Sequence, residues 1–182
     1  TCIPMTVTFG NEQYIDGVDL TKEEFFVKLI NEKEFPKTSQ PSPAKFADCF
    51  EEAKENGDDV VAILVSGALS GTVQSATIAK DIAEHDGVYI VDSKSATLGI
   101  RLLVDRAVRM RDQGKSAKEI AEALDELKAR VRLFAGLDTL EYLQKGGRVG
   151  KITAVAGTML QIKPILSFEP DGELISVAKI RG

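Results

Sequence analysis

The chain has 182 residues, 43% hydrophobic and 28% charged, enough to bury one substantial core, or one domain plus part of another. Its net charge of -5 and pI near 5.1 exclude a sequence-independent grip on nucleic acid, which needs a basic face. No apolar run reaches bilayer-spanning length, so no stable membrane insertion is expected, and Cys2 and Cys49 show no metal-ligand spacing, which points to a reducing cytoplasm.

The chain enters directly on a strand-like run, Ile3–Phe9, and stops at Arg181-Gly182 after another such run. Both ends read as cuts through a larger protein. Thr21-Lys22-Glu23-Glu24 is a capping box, with Phe25, Phe26, Leu29 and Ile30 as the apolar stripe behind it. Thr38 to Pro43 carries two prolines and is expected to be irregular. Ser42-Pro43 then starts a helix that carries Phe46, Phe50 and Ala53 on one face and ends at Gly57.

Val60 to Val65 is a continuous apolar run of strand length, the pattern of a strand buried on both faces. A helix rich in small residues follows over about 72–84, and Val88-Tyr89-Ile90-Val91 repeats the strand pattern. A helix over about 99–112 is expected to bury Ile100, Leu103, Val104, Ala107 and Val108 and to expose Arg101, Asp105 and Arg109. Ser116 to Glu119 is a second capping box, leading a stripe of Ile120, Leu124, Leu127 and Val131. Residues 1–131 thus read as an α/β layer, a parallel sheet with helices on both faces.

The pattern changes over 132–182. Leu133 to Leu137 is strand-like, Leu140 to Gln144 a short helix, and residues 151–161 a further helix. Two strand-like runs flank Pro170-Asp171-Gly172, a hairpin signature. These fifty-odd residues read as the beginning of a smaller α+β domain, too little to stand alone.

Ser66-Gly67-Ala68-Leu69-Ser70-Gly71-Thr72 carries the most chemistry. It leaves the C-terminal end of a buried strand and enters a helix, where open α/β sheets bind ligands. Glycines, hydroxyls and helix N–H groups there suit a carboxylate or phosphate. The structural alternative, Ser70 or Thr72 serving only as a helix cap, stands beside it. The loop lacks the Gly-Lys-Ser/Thr ending of a phosphate-binding Walker sequence. Thr38-Ser39-Gln40-Pro41-Ser42 is a second hydroxyl-rich loop, in which capping accounts for Ser42 but not for Thr38 or Gln40. Asp92-Ser93-Lys94-Ser95 ends the next strand at the same sheet edge.

The sole histidine, His85, falls at a helix end and is expected to be solvated there. Without a second histidine or a cysteine pair, a Ser-His-Asp hydrolase or a zinc enzyme has little to work with. Glu51, Glu52 and Glu55 fall on a polar helix face. An anion accepted by neutral hydroxyls points to binding. The competing class is a phosphoryl- or acyl-transfer enzyme using the Ser70 loop as its phosphate site. No metal or cofactor is implied.

Taken in order, five motifs resemble the DegV family. They are Thr38-Ser39-Gln40-Pro41-Ser42, Ser66 to Thr72, Asp92-Ser93-Lys94, Glu141 to Arg148, and Lys163-Pro164-Ile165-Leu166. Ala68 stands where that family usually has Leu. The resemblance implies a DegV-like two-domain carrier that holds a long-chain fatty acid such as palmitate in an apolar tunnel. Thr38 and Ser70 would hydrogen-bond the carboxylate, with Ser39, Gly71, Thr72 and Ser93 as weaker candidates. It further implies presentation of the acid to a fatty acid kinase, with Arg148 and Arg181 at the docking surface. An N-terminal Thr-Asp-Ser motif and a C-terminal histidine, both family features, do not occur, which fits a piece of such a carrier.

Overall fold

The computed structural model describes residues 1–150, 152 and 162–181. Strand β1 (Thr6–Phe9) pairs antiparallel with β2 (Glu12–Ile15), and helix α1 (Lys22–Asn31) follows. The Thr21–Glu24 capping box forms in full: the Thr21 hydroxyl accepts from the Glu24 N–H, and the Glu24 carboxylate accepts from the Thr21 N–H. The stripe behind it splits. Phe25 packs on Val7, Phe9 and Leu20, whereas Phe26 and Ile30 stay 49% and 79% exposed. The small sheet beneath offers partners to one row only, and the Lys28 ammonium, over the rings of Phe9 and Tyr14, occupies part of that inward side.

Lys37–Ser39 forms a strand, β3, paired antiparallel with the other edge of β1, where the prolines predict irregular backbone. Pro41 and Pro43 lie beyond the paired residues, so the strand keeps its N–H donors and the prolines only end it. Helix α2 (Pro43–Glu55) begins as expected, with the Ser42 hydroxyl accepting from the Lys45 N–H and proline in the first turn. Gly57 ends it at φ +72°, a conformation glycine adopts freely.

Strands β4 (Val60–Leu64) and β5 (Val88–Asp92) pair in parallel, Val60 beside Val88 through Leu64 beside Asp92. Alternate residues face opposite sides. Ala62, Leu64 and Ile90 meet Phe46 and Phe50 of α2 and Ala76 and Ala79 of α3 (Thr72–Ala83). Val61, Ile63 and Tyr89 meet Leu103 and Met110 of α4 (Leu98–Asp112) and Ile120 and Leu124 of α5 (Ala117–Lys128). Helices therefore cover both faces, the expected layering. Phe50, Leu103 and Leu124 are essentially inaccessible, and burial of each contributes about 1.5–3 kcal/mol.

Val104 and Val108, expected inside, are each 39% exposed, because α4 turns Leu103 and Met110 to the sheet. Arg101 and Asp105, expected on the solvent side, lie there and pair at 3.8 Å. The second capping box, at Ser116 and Glu119, forms in full.

Beyond α5, β6 (Ala135–Gly136) precedes α6 (Glu141–Lys145), and β7 (Ile162–Phe168) pairs antiparallel with β8 (Leu174–Arg181) around the expected turn. The strand order is β6-β7-β8, over a cluster of Leu140, Ile152 and Leu166. The helix expected over 151–161 lies outside the described residues, Ile152 apart. Among the described residues no helix is long and apolar enough to cross a membrane.

Candidate functional site

The C-terminal ends of β4 and β5 are joined by the backbone: the Ser66 N–H donates to the Ser95 carbonyl at 2.9 Å. Ser66 then organises the loop that leaves β4. Its carbonyl accepts from the N–H groups of Leu69 and Ser70, and its hydroxyl accepts from the Ala68 N–H. That hydroxyl, wholly buried, donates to the Gly172 carbonyl at 2.8 Å. The tip of the β7–β8 hairpin is thereby seated on the sheet edge. A Cβ on Gly172 would lie 2.2 Å from the Ser66 hydroxyl, so only glycine fits there.

The loop ends in a hydroxyl pair. Ser70 Oγ lies 2.8 Å from Thr72 Oγ1, with Ser70 half-buried and Thr72 buried. Neither caps α3: its N-cap is Gly71, and no side-chain cap bond is made. The capping alternative for Ser70 and Thr72 is thus overturned, because the hydroxyls bond each other across the mouth of the helix. The positive end of the α3 dipole is left facing them.

Thr38 lies in β3 opposite Val7 and is exposed, as is Ser39; no hydrogen bond among the described residues engages the Thr38 hydroxyl. Contact between this segment and α3 runs through Gln40. Its Nε2 donates to Ser75 Oγ at 3.2 Å, and its amide lies against Gly71. Neither motif marks Gln40 as special; its one signal in the sequence is that capping leaves it unexplained.

The loop after β5 is built differently. Ser93 is 1% exposed; its hydroxyl donates to the Ser95 carbonyl and accepts from the Ser95 N–H. Asp92 reaches back to the first loop, accepting from the Gly67 N–H, the Lys94 N–H and Lys94 Nζ. Burial pushes its pKa up, but hydrogen bonds from Lys94 and Gly67 outweigh this and hold it below the ordinary carboxylate range.

Arg148, expected at a docking surface, also touches the Ser70 loop. Its Nε donates to the Leu69 carbonyl at 3.3 Å and a terminal nitrogen donates to the Gly146 carbonyl at 2.7 Å. A cleft of about 320 Å³ opens there between Leu69, Arg148 and Leu174, with Glu173 on its rim. Arg181 ends β8, and its side chain lies outside the described residues. His85 precedes β5, its Nε2 against the Asp58 carbonyl at 2.9 Å. That is the N-terminal end of both parallel strands, a strand length of about 16 Å from the hydroxyl loop.

A family model described as "Uncharacterised protein, DegV family" matches residues 1–182. The chain belongs to the DegV family. A DegV domain-containing protein of Caldanaerobacter subterraneus is 41% identical over 180 residues, covering 99% of this chain and 64% of that protein. A stearic acid-binding protein from Eubacterium ventriosum has a solved structure that superposes with a TM-score of 0.89 at 35% identity, over 98% of this chain and 63% of that one. The Streptococcus pneumoniae Fatty Acid Kinase (Fak) B3 protein, solved loaded with linoleic acid, gives 0.84 at 28% identity over 98% and 64%. This chain therefore spans just under two thirds of the length of each DegV relative described.

Proposed function

We propose that this chain belongs to a carrier that holds one long-chain fatty acid, its carboxylate hydrogen-bonded by the hydroxyls of Thr38 and Ser70. The observation that supports this best is the Ser70–Thr72 hydroxyl pair, set at the uncapped start of α3 and, among the described residues, used for no side-chain bond outside the pair. Within the pair one hydroxyl donates to the other and one O–H stays free. With Thr72 donating to Ser70, a carboxylate beside the helix N-terminus would accept from Ser70 and from Thr38. Ser39, Gly71 and Thr72, neighbours of these two in the chain, are the weaker candidates for the same carboxylate. The acyl chain provides the affinity: about fifteen methylenes contribute on the order of 12 kcal/mol gross, reduced by the cost of association.

Carriage rather than catalysis is supported by the place of His85, at the far end of the sheet. The described DegV relatives named for stearic and linoleic acid lend the ligand class. We read the partner as a fatty acid kinase and the setting as the cytoplasm. Arg148, exposed beside the loop, would meet that partner, with Arg181 on β8 as a second docking residue. Residues 1–131 and 132–182 would contribute to the site as two units, joined at Ser66 and Gly172.

Organic extraction and mass spectrometry of the protein purified from cells test the reading. Bound C16–C18 acid is expected, at a level that falls roughly tenfold in Thr38→Val, the scale of one lost charged-group hydrogen bond. Protein that carries no acyl chain and takes up none would sink the proposal.

A further inference from the structure

Gly71 poses a question that its backbone does not answer. Its φ of -71° and ψ of 10° are open to other residues, so no left-handed turn demands glycine. The space beside it is the constraint. A Cβ there would lie 2.5 Å from both Nε2 and Oε1 of Gln40 and 2.8 Å from its Cδ. The Gln40 amide fills the place of a Gly71 side chain, and its Nε2 is bonded to Ser75, 3% exposed, one turn into α3.

We propose that Gln40 is the positioning residue of the carboxylate site, a latch that sets Thr38 and Ser70 at the spacing of one carboxylate. Several features make the latch stiff. Pro41, buried, fixes its own φ and holds Gln40 extended. In extended chain, residues two apart share a side, which puts Thr38 on the side of Gln40. Ser70 immediately precedes the glycine that the amide covers. The latch therefore joins the chain on either side of the ligand head group without needing to touch the ligand. It deepens the carrier reading and rests on it.

The coupling is measured with Gln40→Ala, Gly71→Ala and the double variant, reading palmitate affinity by displacement of a fluorescent hexadecanoate analogue, and thermal stability in parallel. Each single change is expected to weaken palmitate binding about tenfold, the second by pushing the amide out. The double variant is expected to bind within about twofold of Gln40→Ala, because the added methyl then enters vacated space. Thermal midpoints should show the same non-additivity. Losses that multiply in the double variant, or Gly71→Ala binding like wild type, overturn the latch. If both singles bind normally while the midpoints remain coupled, Gln40 is packing alone and the positioning role is overturned by itself. Wild-type protein that takes up no palmitate overturns the carrier reading, and the positioning role with it. Should Gln40→Ala fail to fold, Gln40→Met, which keeps the bulk and loses the donor, reads the same binding loss.

Discussion

Two loops leave the same edge of the same parallel sheet, and both are rich in hydroxyls, yet they spend them oppositely. After β5, Ser93 turns inward and exchanges two hydrogen bonds with the Ser95 backbone. After β4, Ser66 does the structural work at the strand end, and farther out the side-chain hydroxyls of Ser70 and Thr72 bond each other and, among the described residues, nothing else. A hydroxyl next to a strand end is drawn into closing the turn. One four residues farther on, at the start of a helix, is spared that role and, on the carrier reading proposed above, is open to a ligand. Residue type alone does not separate these roles; distance from the strand end does.

The largest effect on stability should come where the β4 loop is tied to the hairpin. Gly172 sits at φ +90° with the Ser66 hydroxyl and Lys94 where a side chain would go. Gly172→Ala meets a disfavoured backbone region, at about 1–2 kcal/mol, and displaces a buried hydrogen bond, at about 1–3 kcal/mol. A loss of about 3 kcal/mol in denaturant unfolding is expected, and less than about 1 kcal/mol would show that the hairpin tip is not seated. Next comes Ser93→Ala, which strands the buried Ser95 N–H and leaves the Ser95 carbonyl with the Ser66 N–H as its remaining donor. It should cost about 1–2 kcal/mol while leaving fatty acid binding unchanged. Weakened binding in that variant would erase the contrast between the loops.

Asp92 ties the two loops together, and its contribution depends on pH. Its pKa is depressed in the folded state, so the stabilisation is present above the ordinary value near ~4 and is lost as pH falls through the folded value. Asp92→Asn should lower the unfolding free energy at pH 7 by no more than about 1 kcal/mol, since the pair with Lys94 is partly solvated. The difference should shrink below about pH 4. A gap that stays constant between about pH 2 and 7 would mean that the carboxylate's charge is not what holds Gly67 and Lys94.

Local physics made much of this legible. Thr21 with Glu24, Ser42 with Pro43 and Ser116 with Glu119 each reach only three residues or fewer along the chain, and each forms where the sequence places it. The runs Val60–Leu64 and Val88–Asp92 read as strands covered on both faces because both faces are apolar. What failed depended on neighbours. Phe26, Ile30, Val104 and Val108 carry the right period, but periodicity does not say which apolar residue finds a partner. The prolines at 41 and 43 masked β3, whose pairing with β1 is set by residues thirty positions earlier. The site divides the same way. Its hydroxyl loops were visible, whereas the Gln40–Ser75 and Ser66–Gly172 bonds span 35 and 106 residues and leave no local trace.

The smallest change in stability should accompany the Ser70→Ala variant. Ser70 is half-buried and bonds one hydroxyl, so its removal should cost about 0.5 kcal/mol, the low end for a net hydrogen bond. Palmitate affinity should nonetheless fall about tenfold, since a buried carboxylate oxygen would lose a donor that water cannot replace. Ser93→Ala has the opposite profile, stability lost and affinity kept. Measured side by side on the same protein, the pair separates a hydroxyl that closes a turn from one that waits for a ligand. If the two variants lose affinity and stability in equal proportion, the loops are one folding unit, and Ser70 acts on the ligand only through the fold.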